Sequence, residues 1–196
     1  MKTRCGWLNN DPLYIEYHDT EWGVPVTNDQ KMFEFLLLET FQAGLSWFTI
    51  LKKRENFRKA FADFDYGKIA AFTDTGRERL LQDAGIIRNR QKIDAAINNA
   101  QRFMAVQEEW DGSFCKYLWS FVDHQPIQNS WKNLKEVPAK TELSDRISKD
   151  LKKRGFKFVG STTIYAHMQA CGMVNDHTTD CFRYAEVRKL GDTISF

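Results

Sequence analysis

Hydrophobic residues recur at helical spacing along most of the chain, and the alternation typical of strands is nearly absent. Residues 29–43 are apolar on nearly every side, which predicts a central buried helix that ends at Gly44. Residues 89–109 form the longest amphipathic segment, with apolar side chains returning every three or four positions. The pattern therefore predicts an all-α protein.

Shorter helices are predicted on both sides of these two segments. Residues that typically cap a helix precede four of them: Ser46 before 47–64, Asp65 before 66–72, Asp74 before 76–85 and Ser113 before 114–122. Two further helices, 144–154 and 161–170, are separated by a short turn with a glycine at each end, residues 155–160. Residues 124–143, which contain Gln-Pro and Val-Pro, predict a surface loop, and the polar residues 182–196 predict a poorly packed tail.

Composition limits the class of protein. The chain has 196 residues, of which 42% are hydrophobic, so residues 1–196 can bury one core as a single domain or form two helical lobes joined by residues 124–143. No apolar run is long enough to cross a bilayer, and the first residues lack the apolar stretch of a signal peptide. We expect a cytoplasmic protein with no membrane partner, where a reducing environment favours metal binding over disulfides for the cysteines.

The net charge of +2 does not by itself indicate a nucleic-acid partner. Basic residues do cluster locally, at 52–54, 88–92 and 152–157. Such clusters are either solvated helix faces or parts of a surface that binds a polyanion, and the pattern leaves both interpretations open.

Two Cys/His pairs lie near opposite ends of the chain: Cys5 with His18, and His177 with Cys181. Together they offer a Cys₂His₂ set, which suits a tetrahedral zinc ion. His177 and Cys181 are four residues apart, so on a helix they would share a face. The spacings are not those of a zinc finger, and the alternative is that these are buried free thiols and surface histidines.

Glu39 lies among leucines and phenylalanines in the predicted central helix. It is either a surface residue late in an amphipathic helix or a buried carboxylate with a raised pKa. Several aromatic residues are close to it in sequence or upstream: Trp7, Tyr14, Tyr17, Trp22 and Trp47. Aromatic residues at this density usually form core, but a carboxylate in an aromatic box would suit a flat cationic ligand.

The turn between the helices 144–154 and 161–170 contains Gly155 and Gly160, and Ser161 opens the second helix. A helix start with free amides is a natural site for phosphate, and Lys157 and nearby basic residues add positive charge. The alternatives are an ordinary αα-hairpin and a contact to a nucleic-acid backbone.

Longer blocks of sequence, in order from residue 4 to about 181, resemble the 3-methyladenine DNA glycosylase I family. The blocks are RCGW, DPLYIEYHDTEWGVP, LLLETFQAGLSWFTILKKRENF, GIIRNRQKI, LWSFVDHQP and LKKRGFKFVGSTTIYAHMQACGMVNDH. The resemblance implies an all-α helix-hairpin-helix glycosylase that flips alkylated adenine out of DNA, excises it and leaves an abasic site. It implies double-stranded DNA as the partner, and we expect a monomer with a single catalytic domain.

The resemblance also implies residue roles. One structural zinc ion would be bound by Cys5, His18, His177 and Cys181, clasping the two ends of the chain. Glu39 would contact the flipped base and act in catalysis, in a pocket walled by Trp7, Tyr14, Tyr17 and Trp47. The wedge that replaces the flipped nucleotide would be Gly44 and Leu45, and the residues that grip DNA phosphate would be Lys157, Gly160, Ser161 and Thr162.

Two points and two rival functions stay open. Many helix-hairpin-helix glycosylases have a catalytic Asp after the hairpin, but this branch is understood to lack it, so we expect Asp176 to cap a helix. Thr40 and Phe41 differ from the small or polar pair expected beside Glu39, which leaves the pocket rim undetermined. The rivals are a zinc-dependent hydrolase, which needs an open coordination position, and a non-enzymatic DNA-binding module that uses the hairpin alone.

Overall fold

Helices carry almost all the regular structure in the computed structural model of this chain, which describes residues 2–196. Within that range the helices are α1 Pro12–Thr20, α2 Asp29–Gln42, α3 Trp47–Ala60, α4 Tyr66–Ala70, α5 Asp74–Gln82, α6 Arg90–Glu109, α7 Phe114–Ser120, α8 Glu142–Lys153, α9 Ser161–Ala170 and α10 Phe182–Gly191. Two strands of two residues each, β1 Ile127–Gln128 and β2 Val174–Asn175, pair in parallel. The prediction of an all-α protein is confirmed.

The helix α2 lies at the centre of the fold. Every residue from Met32 to Phe41 is buried, and α3, α6, α7 and α9 all pack against this helix. Burying a large apolar side chain contributes about 1.5–3 kcal/mol, so this run is a main source of stability. Asn28 starts the helix by accepting a hydrogen bond from the Lys31 amide at 2.9 Å.

Most predicted helix starts are confirmed. They could be predicted because a capping residue and the amide that it binds are close together in sequence. Ser46, Asp65, Asn89 and Ser113 each accept a hydrogen bond from the amide three residues later. Asp74 is instead the first residue of α5, after Thr73.

Several helix bounds differ from the prediction. α4 and α7 each end two residues early, at Ala70 and Ser120, and α5 spans Asp74–Gln82 in place of 76–85. α8 begins at Glu142, two residues early, because Thr141 and Ser144 form a capping box. α3 ends at Ala60, and residues 62–64 form a short 3₁₀ turn with positive φ angles in place of the predicted continuous helix 47–64.

The tail 182–196, predicted to be poorly packed, contains a helix, and only Val187 and Gly191 in it are buried. α10 occupies the first ten of these residues, and its Val187 is buried. The ring of Phe196 lies 5.6 Å from that of Trp119. The tail looks polar in sequence because α10 buries only a narrow face, so few apolar residues are needed to hold it.

Up to the start of α8 at Glu142, the loop predicted at 124–143 is irregular apart from β1 and a 3₁₀ turn, Leu134–Glu136. Buried hydrophobic side chains from Tyr17 to Val174 form a contiguous cluster. This favours one domain over two lobes, although the single domain stays a prediction. Among residues 2–196, none of the helices has both the length and the apolar character needed to span a bilayer.

Asp29, the first residue of α2, also caps α7. Its carboxylate accepts hydrogen bonds from the amides of Phe114 at 2.7 Å and Cys115 at 2.8 Å, and from Gln107 Nε2 at 2.6 Å. One carboxylate therefore joins the central helix to α6 and α7.

We expect Asp29→Asn to lower the free energy of unfolding by about 2 kcal/mol, because the new amide cannot accept from all of these donors. Urea unfolding measures the change. Asp74→Asn is the matched control, since Asp74 also begins a helix but its side chain is 98% exposed. The control is expected to stay within about 0.5 kcal/mol of the wild type. Equal losses in the two variants would contradict the capping role of Asp29.

Candidate active site and metal centre

A cavity of about 270 Å³ lies between α1, α2, α3 and α9. Its lining residues are Trp7, Tyr14, Tyr17, Trp22, Glu39, Gln42, Trp47, Leu134, Val137, Ala166, Gln169 and Asp176. All five residues predicted from the sequence to form a base pocket are among them. Sequence reasoning missed the contributions of the loop before α8 and of α9, since nothing local marks residues that distant in sequence as neighbours.

Glu39 projects from α2 into this cavity. The residue is 4% exposed, and its carboxylate accepts no hydrogen bond from any part of the chain that the structure describes. Burial raises its pKa to about 8. The interpretation of Glu39 as a surface residue was therefore wrong, and the buried alternative is confirmed.

Glu34, on the same helix, shows how unusual Glu39 is. Glu34 is also buried, but its carboxylate pairs with Lys31 Nζ at 3.1 Å and Arg58 Nη2 at 3.3 Å. A buried carboxylate without such compensation is costly and is more typical of a functional site than of a structural one.

Aromatic rings form the walls of the cavity. The ring of Trp7 lies 5.0 Å from those of Tyr14 and Trp22, and the ring of Tyr17 lies 5.4 Å from that of Trp47. Burial, and then the proximity of Glu39, raises the pKa of Tyr14 and of Tyr17, so both phenols stay neutral. Within residues 2–196, the buried indole Nε1 groups of Trp7 and Trp47 have no acceptor.

Asp176 is not a helix cap, so that prediction was wrong. It follows β2, is 3% exposed, and accepts four side-chain hydrogen bonds. The donors are Asn129 Nδ2 at 2.6 Å and Trp131 Nε1 at 2.8 Å to Oδ1, and Tyr165 OH at 2.6 Å and Gln169 Nε2 at 2.8 Å to Oδ2. These bonds tie the loop after β1 to α9 and shape one wall of the cavity. Because both carboxylate oxygens are occupied, Asp176 is a poor candidate for a general base.

The four predicted metal ligands come together. Cys5 Sγ lies 3.4 Å from His177 Nδ1, and Cys181 Sγ lies 3.6 Å from His177 Nδ1 and 3.5 Å from His18 Nε2. All four residues are buried, and their ligand atoms lie within 4.8 Å of one another. This cluster can hold one metal ion.

His177 and Cys181 do not share a helix face, which corrects the prediction. Cys181 is the residue before α10, and its amide donates to the Thr178 carbonyl at 2.8 Å in a turn. The turn nevertheless brings the side chains of His177 and Cys181 together, with Sγ 3.6 Å from Nδ1.

Each histidine of the cluster is oriented through its second ring nitrogen. His18 Nδ1 lies 2.8 Å from Asp19 Oδ1, and Asp19 in turn accepts from Arg4 Nη2 at 2.7 Å. His177 Nε2 lies 3.1 Å from the Trp22 carbonyl oxygen. Such partners fix the tautomer in which the other nitrogen is free to bind a metal.

The cluster adjoins the wall of the cavity. The ring of Trp7 lies 5.4 Å from that of His18, and the ring of Trp22 lies 4.7 Å from that of His177. The remaining cysteines, Cys115 and Cys171, are buried, and burial raises the pKa of both thiols. They are thiols of the hydrophobic core.

The turn after α2 presents a leucine to solvent. Gly44 has a φ of +80°, and Leu45 is 37% exposed. The Leu45 amide donates to the Gln42 carbonyl at 2.7 Å, and Gln42 Nε2 donates to the Leu45 carbonyl at 2.6 Å. An apolar side chain is thereby held outward in a defined turn.

Gly160, the residue before α9, has no side chain to cap the helix, and no other side chain accepts from its first turn. Lys157 and Thr162 are exposed, while Ser161 is half-buried with its Oγ 2.8 Å from Ser144 Oγ. The predicted DNA-contact residues therefore lie on two surface segments, the turn 43–46 and the hairpin 155–160 with the start of α9.

The model of the methyladenine glycosylase family matches residues 7–184. The chain belongs to this family. It is 55% identical to the DNA-3-methyladenine glycosylase 1 of Escherichia coli strain K12, over 92% of this chain and 96% of the relative. The family resemblance seen in the sequence is confirmed.

Solved structures of family members superimpose closely on this chain. A crystal structure of a 3-methyladenine DNA glycosylase I, 55% identical, has a TM-score of 0.89 over 92% of this chain and 98% of that one. A structure that addresses 3-methyladenine recognition by the Staphylococcus aureus enzyme, 37% identical, has a TM-score of 0.88 over 91% of this chain and 95% of that one.

The raised pKa of Glu39 predicts a pH-dependent stability. The pKa is about 8 in the folded protein against a usual value near 4.5, so the folded protein holds the extra proton between these values. Stability from this group is therefore complete below about pH 4.5 and is lost as the pH rises towards 8. A glutamine does not titrate, so the free energy of unfolding of Glu39→Gln should rise relative to that of the wild type as the pH is raised from 5 to 9. The rise should be several kcal/mol, since one pKa unit corresponds to about 1.4 kcal/mol.

Urea unfolding at several pH values measures the free energy of unfolding of both proteins. Taking the difference between variant and wild type removes the effect of the titratable groups that the two proteins share. Glu34→Gln is the control, because it loses ion pairs and should be less stable than the wild type throughout. A difference between Glu39→Gln and the wild type that stays flat from pH 5 to 9 would show that Glu39 is not desolvated.

Proposed function

We propose that this protein is a DNA-3-methyladenine glycosylase. It extrudes 3-methyladenine from alkylated double-stranded DNA, hydrolyses the bond between the base and the sugar, and leaves an abasic site. The observation that carries the proposal is the buried carboxylate of Glu39, without a partner in an aromatic cavity, in a member of the methyladenine glycosylase family. The names of the Escherichia coli and Staphylococcus aureus relatives support it.

The cavity suits a flat cation. Methylation at N3 puts positive charge on adenine and weakens its bond to the sugar. Flipping the nucleotide costs a few kcal/mol, and stacking on aromatic side chains returns about 1–3 kcal/mol per base. Trp7, Tyr14, Tyr17 and Trp47 would supply this stacking together with cation–π attraction.

Glu39 makes the pocket selective for charge. A cationic base would favour the carboxylate form and draw the pKa of Glu39 down from about 8. A neutral adenine brings no positive charge. Glu39 would then either stay protonated and give no ionic attraction, or be ionised and bear the full cost of desolvation. Undamaged adenine is thus bound more weakly even if it fits by shape.

Glu39 is also the catalytic residue of the proposal. As the bond to the base breaks, positive charge develops on the sugar, and a nearby carboxylate stabilises it or orients the attacking water. Asp176 is less suited to this work because four hydrogen bonds already occupy its oxygens.

Two surface segments would bind the DNA. Leu45, held outward by the Gly44 turn, would fill the gap left by the extruded nucleotide, as apolar wedges do in kinked DNA. The free amides at Gly160, Ser161 and Thr162 would grip a phosphate, with the charge of Lys157 nearby. The protein would act as a monomer.

Zinc is the ion proposed for the Cys/His cluster. A tetrahedral zinc with usual bond lengths places its sulfur and nitrogen ligands about 3.6 Å apart. The Sγ to nitrogen distances of 3.4, 3.5 and 3.6 Å in the cluster fit this geometry. With Cys5, His18, His177 and Cys181 all bound to it, a zinc ion would have no open position, so it would be structural and would clasp the ends of the chain beside the pocket.

The rival functions have less support. A zinc-dependent hydrolase needs a coordination position for water, and the four buried ligands leave none. A DNA-binding module without activity gives no reason for a carboxylate without a partner among aromatic walls.

Base release from methylated duplex DNA, analysed by chromatography, tests the function. We expect the wild type to release 3-methyladenine with little 7-methylguanine, and Glu39→Gln to be slower by about tenfold or more because an electrostatic contribution to the transition state is lost. Glu34→Gln, which also removes a buried carboxylate from α2, is expected to act at a rate close to that of the wild type. Metal-loaded wild type that releases no base would refute the enzyme, and an unchanged Glu39→Gln rate would remove Glu39 from the site.

Metal analysis tests the clasp. We expect one zinc per chain, and we expect Cys181→Ala to lose the zinc and to melt at a lower temperature while still releasing base below its melting point. Cys171→Ala, which removes a buried thiol outside the cluster, should keep the zinc. A Cys181→Ala protein of normal stability without activity would instead indicate a catalytic metal.

A further inference from the structure

A buried lysine on α6 holds the end of α2. Lys92 is 6% exposed, and its Nζ donates to the Phe41 carbonyl at 2.8 Å and to the Ala43 carbonyl at 2.6 Å. The last carbonyls of a helix lack partners within the helix, and a positive charge there is favourable. Phe41 lies in the last turn of α2 and Ala43 immediately precedes Gly44, so Lys92 fixes the start of the turn 43–46.

A buried asparagine on α6 holds the hairpin 155–160. Asn99 is 2% exposed, and its Nδ2 donates to the Lys157 carbonyl at 2.9 Å while its Oδ1 accepts from the Lys157 amide at 2.8 Å. Asn98 adds a hydrogen bond from its Nδ2 to the Gly155 carbonyl at 2.9 Å. The backbone of the hairpin is therefore docked on α6.

Lys92 and Asn99 lie on one face of the same helix. Seven residues separate them, which is nearly two turns and about 10 Å along the axis. Between and beyond them, Ile93, Ala96 and Ala100 are buried in the core, so this part of α6 is firmly anchored.

We propose that α6 sets the distance between the turn 43–46 and the hairpin 155–160, with Lys92 and Asn99 as positioning residues for DNA engagement. The inference rests on the proposed function, in which Leu45 enters the base stack while the hairpin grips a phosphate. Both contacts must form on one duplex at once, and an error of about 1 Å in placement can cost as much as a hundredfold in rate. A single rigid helix that binds both segments meets this requirement.

The two residues have separable effects, because one holds the wedge and the other holds the phosphate contact. We expect Lys92→Met to slow single-turnover base release at saturating protein by about tenfold or more, with little change in the Kd for duplex carrying an abasic-site analogue. We expect Asn99→Leu to raise that Kd by about tenfold, equivalent to about 1.4 kcal/mol, with little change in the saturated rate.

Arg79→Met is the matched control. Arg79 Nη2 donates to the carbonyl of Ala60, the last residue of α3, at 2.9 Å, so it is another cation that caps a helix end. It contacts neither of the two DNA-binding segments, and both the rate and the Kd should stay within about twofold of the wild type.

A double-mutant cycle separates positioning from general loosening. If Lys92 acts through Leu45, Lys92→Met should have almost no further effect on the rate in a Leu45→Ala background, because the two effects are not additive. The same loss in both backgrounds would overturn the inference. So would a Lys92→Met protein that loses binding of free 3-methyladenine, followed by tryptophan fluorescence, as fully as it loses base release.

The outcomes also separate this inference from the proposed function. Wild type that releases no base would refute the glycosylase. Active wild type, with Lys92→Met and Asn99→Leu both unchanged in rate and Kd, would refute only the role of α6. Lys92→Gln, which can still donate to a carbonyl, is expected to fall between the wild type and Lys92→Met, and a Lys92→Gln rate as low as that of Lys92→Met would count against the hydrogen bonds as the cause.

Discussion

The burial of Glu39 without a partner is the constraint on which the rest of the site depends. The free energy of its desolvation is offset by the apolar residues around it on α2, which are buried from Met32 to Phe41. Glu34 shows that the same helix can bury a carboxylate at lower cost by pairing it with Lys31 and Arg58. Because Glu39 has no similar pair in the described part of the chain, its carboxyl group is protonated near neutral pH and can ionise for a ligand that brings its own positive charge.

Distant parts of the chain hold the pocket around that carboxylate. On one side, Asp176 gathers donors from the loop after β1 and from α9. On the other side, the Cys/His cluster lies against Trp7 and Trp22. The walls of the pocket therefore depend on contacts between residues far apart in sequence. The Cys/His cluster, whose residues come from both ends of the chain, is one such contact.

Interactions between near neighbours could be predicted from the sequence, and those between distant residues could not. The period of α2 and α6 and the caps at Ser46 and Ser113 are local, so they were found. The network at Asp176 was missed because its partners at Asn129 and Trp131 lie more than forty residues away. Spacing alone could not decide whether Glu39 was buried. The nearby aromatic residues suggested a site for a flat cationic ligand, and the family resemblance suggested the role of Glu39 towards a flipped base.

In the proposed function, the end of α2 joins recognition of the base to its extrusion from DNA. Glu39 and Gln42 line the pocket, and Leu45 follows them in the next turn, with Gln42 Nε2 bonded to the Leu45 carbonyl. A base that enters the pocket must leave the stack at the point where Leu45 would enter it, so the two events share one piece of backbone. Lys92 donates to the carbonyls of Phe41 and Ala43, after Glu39 and before Leu45, so it fixes the part of this backbone that carries the proposed wedge. A rigid helix end, more than any single contact, is what the proposed reaction requires.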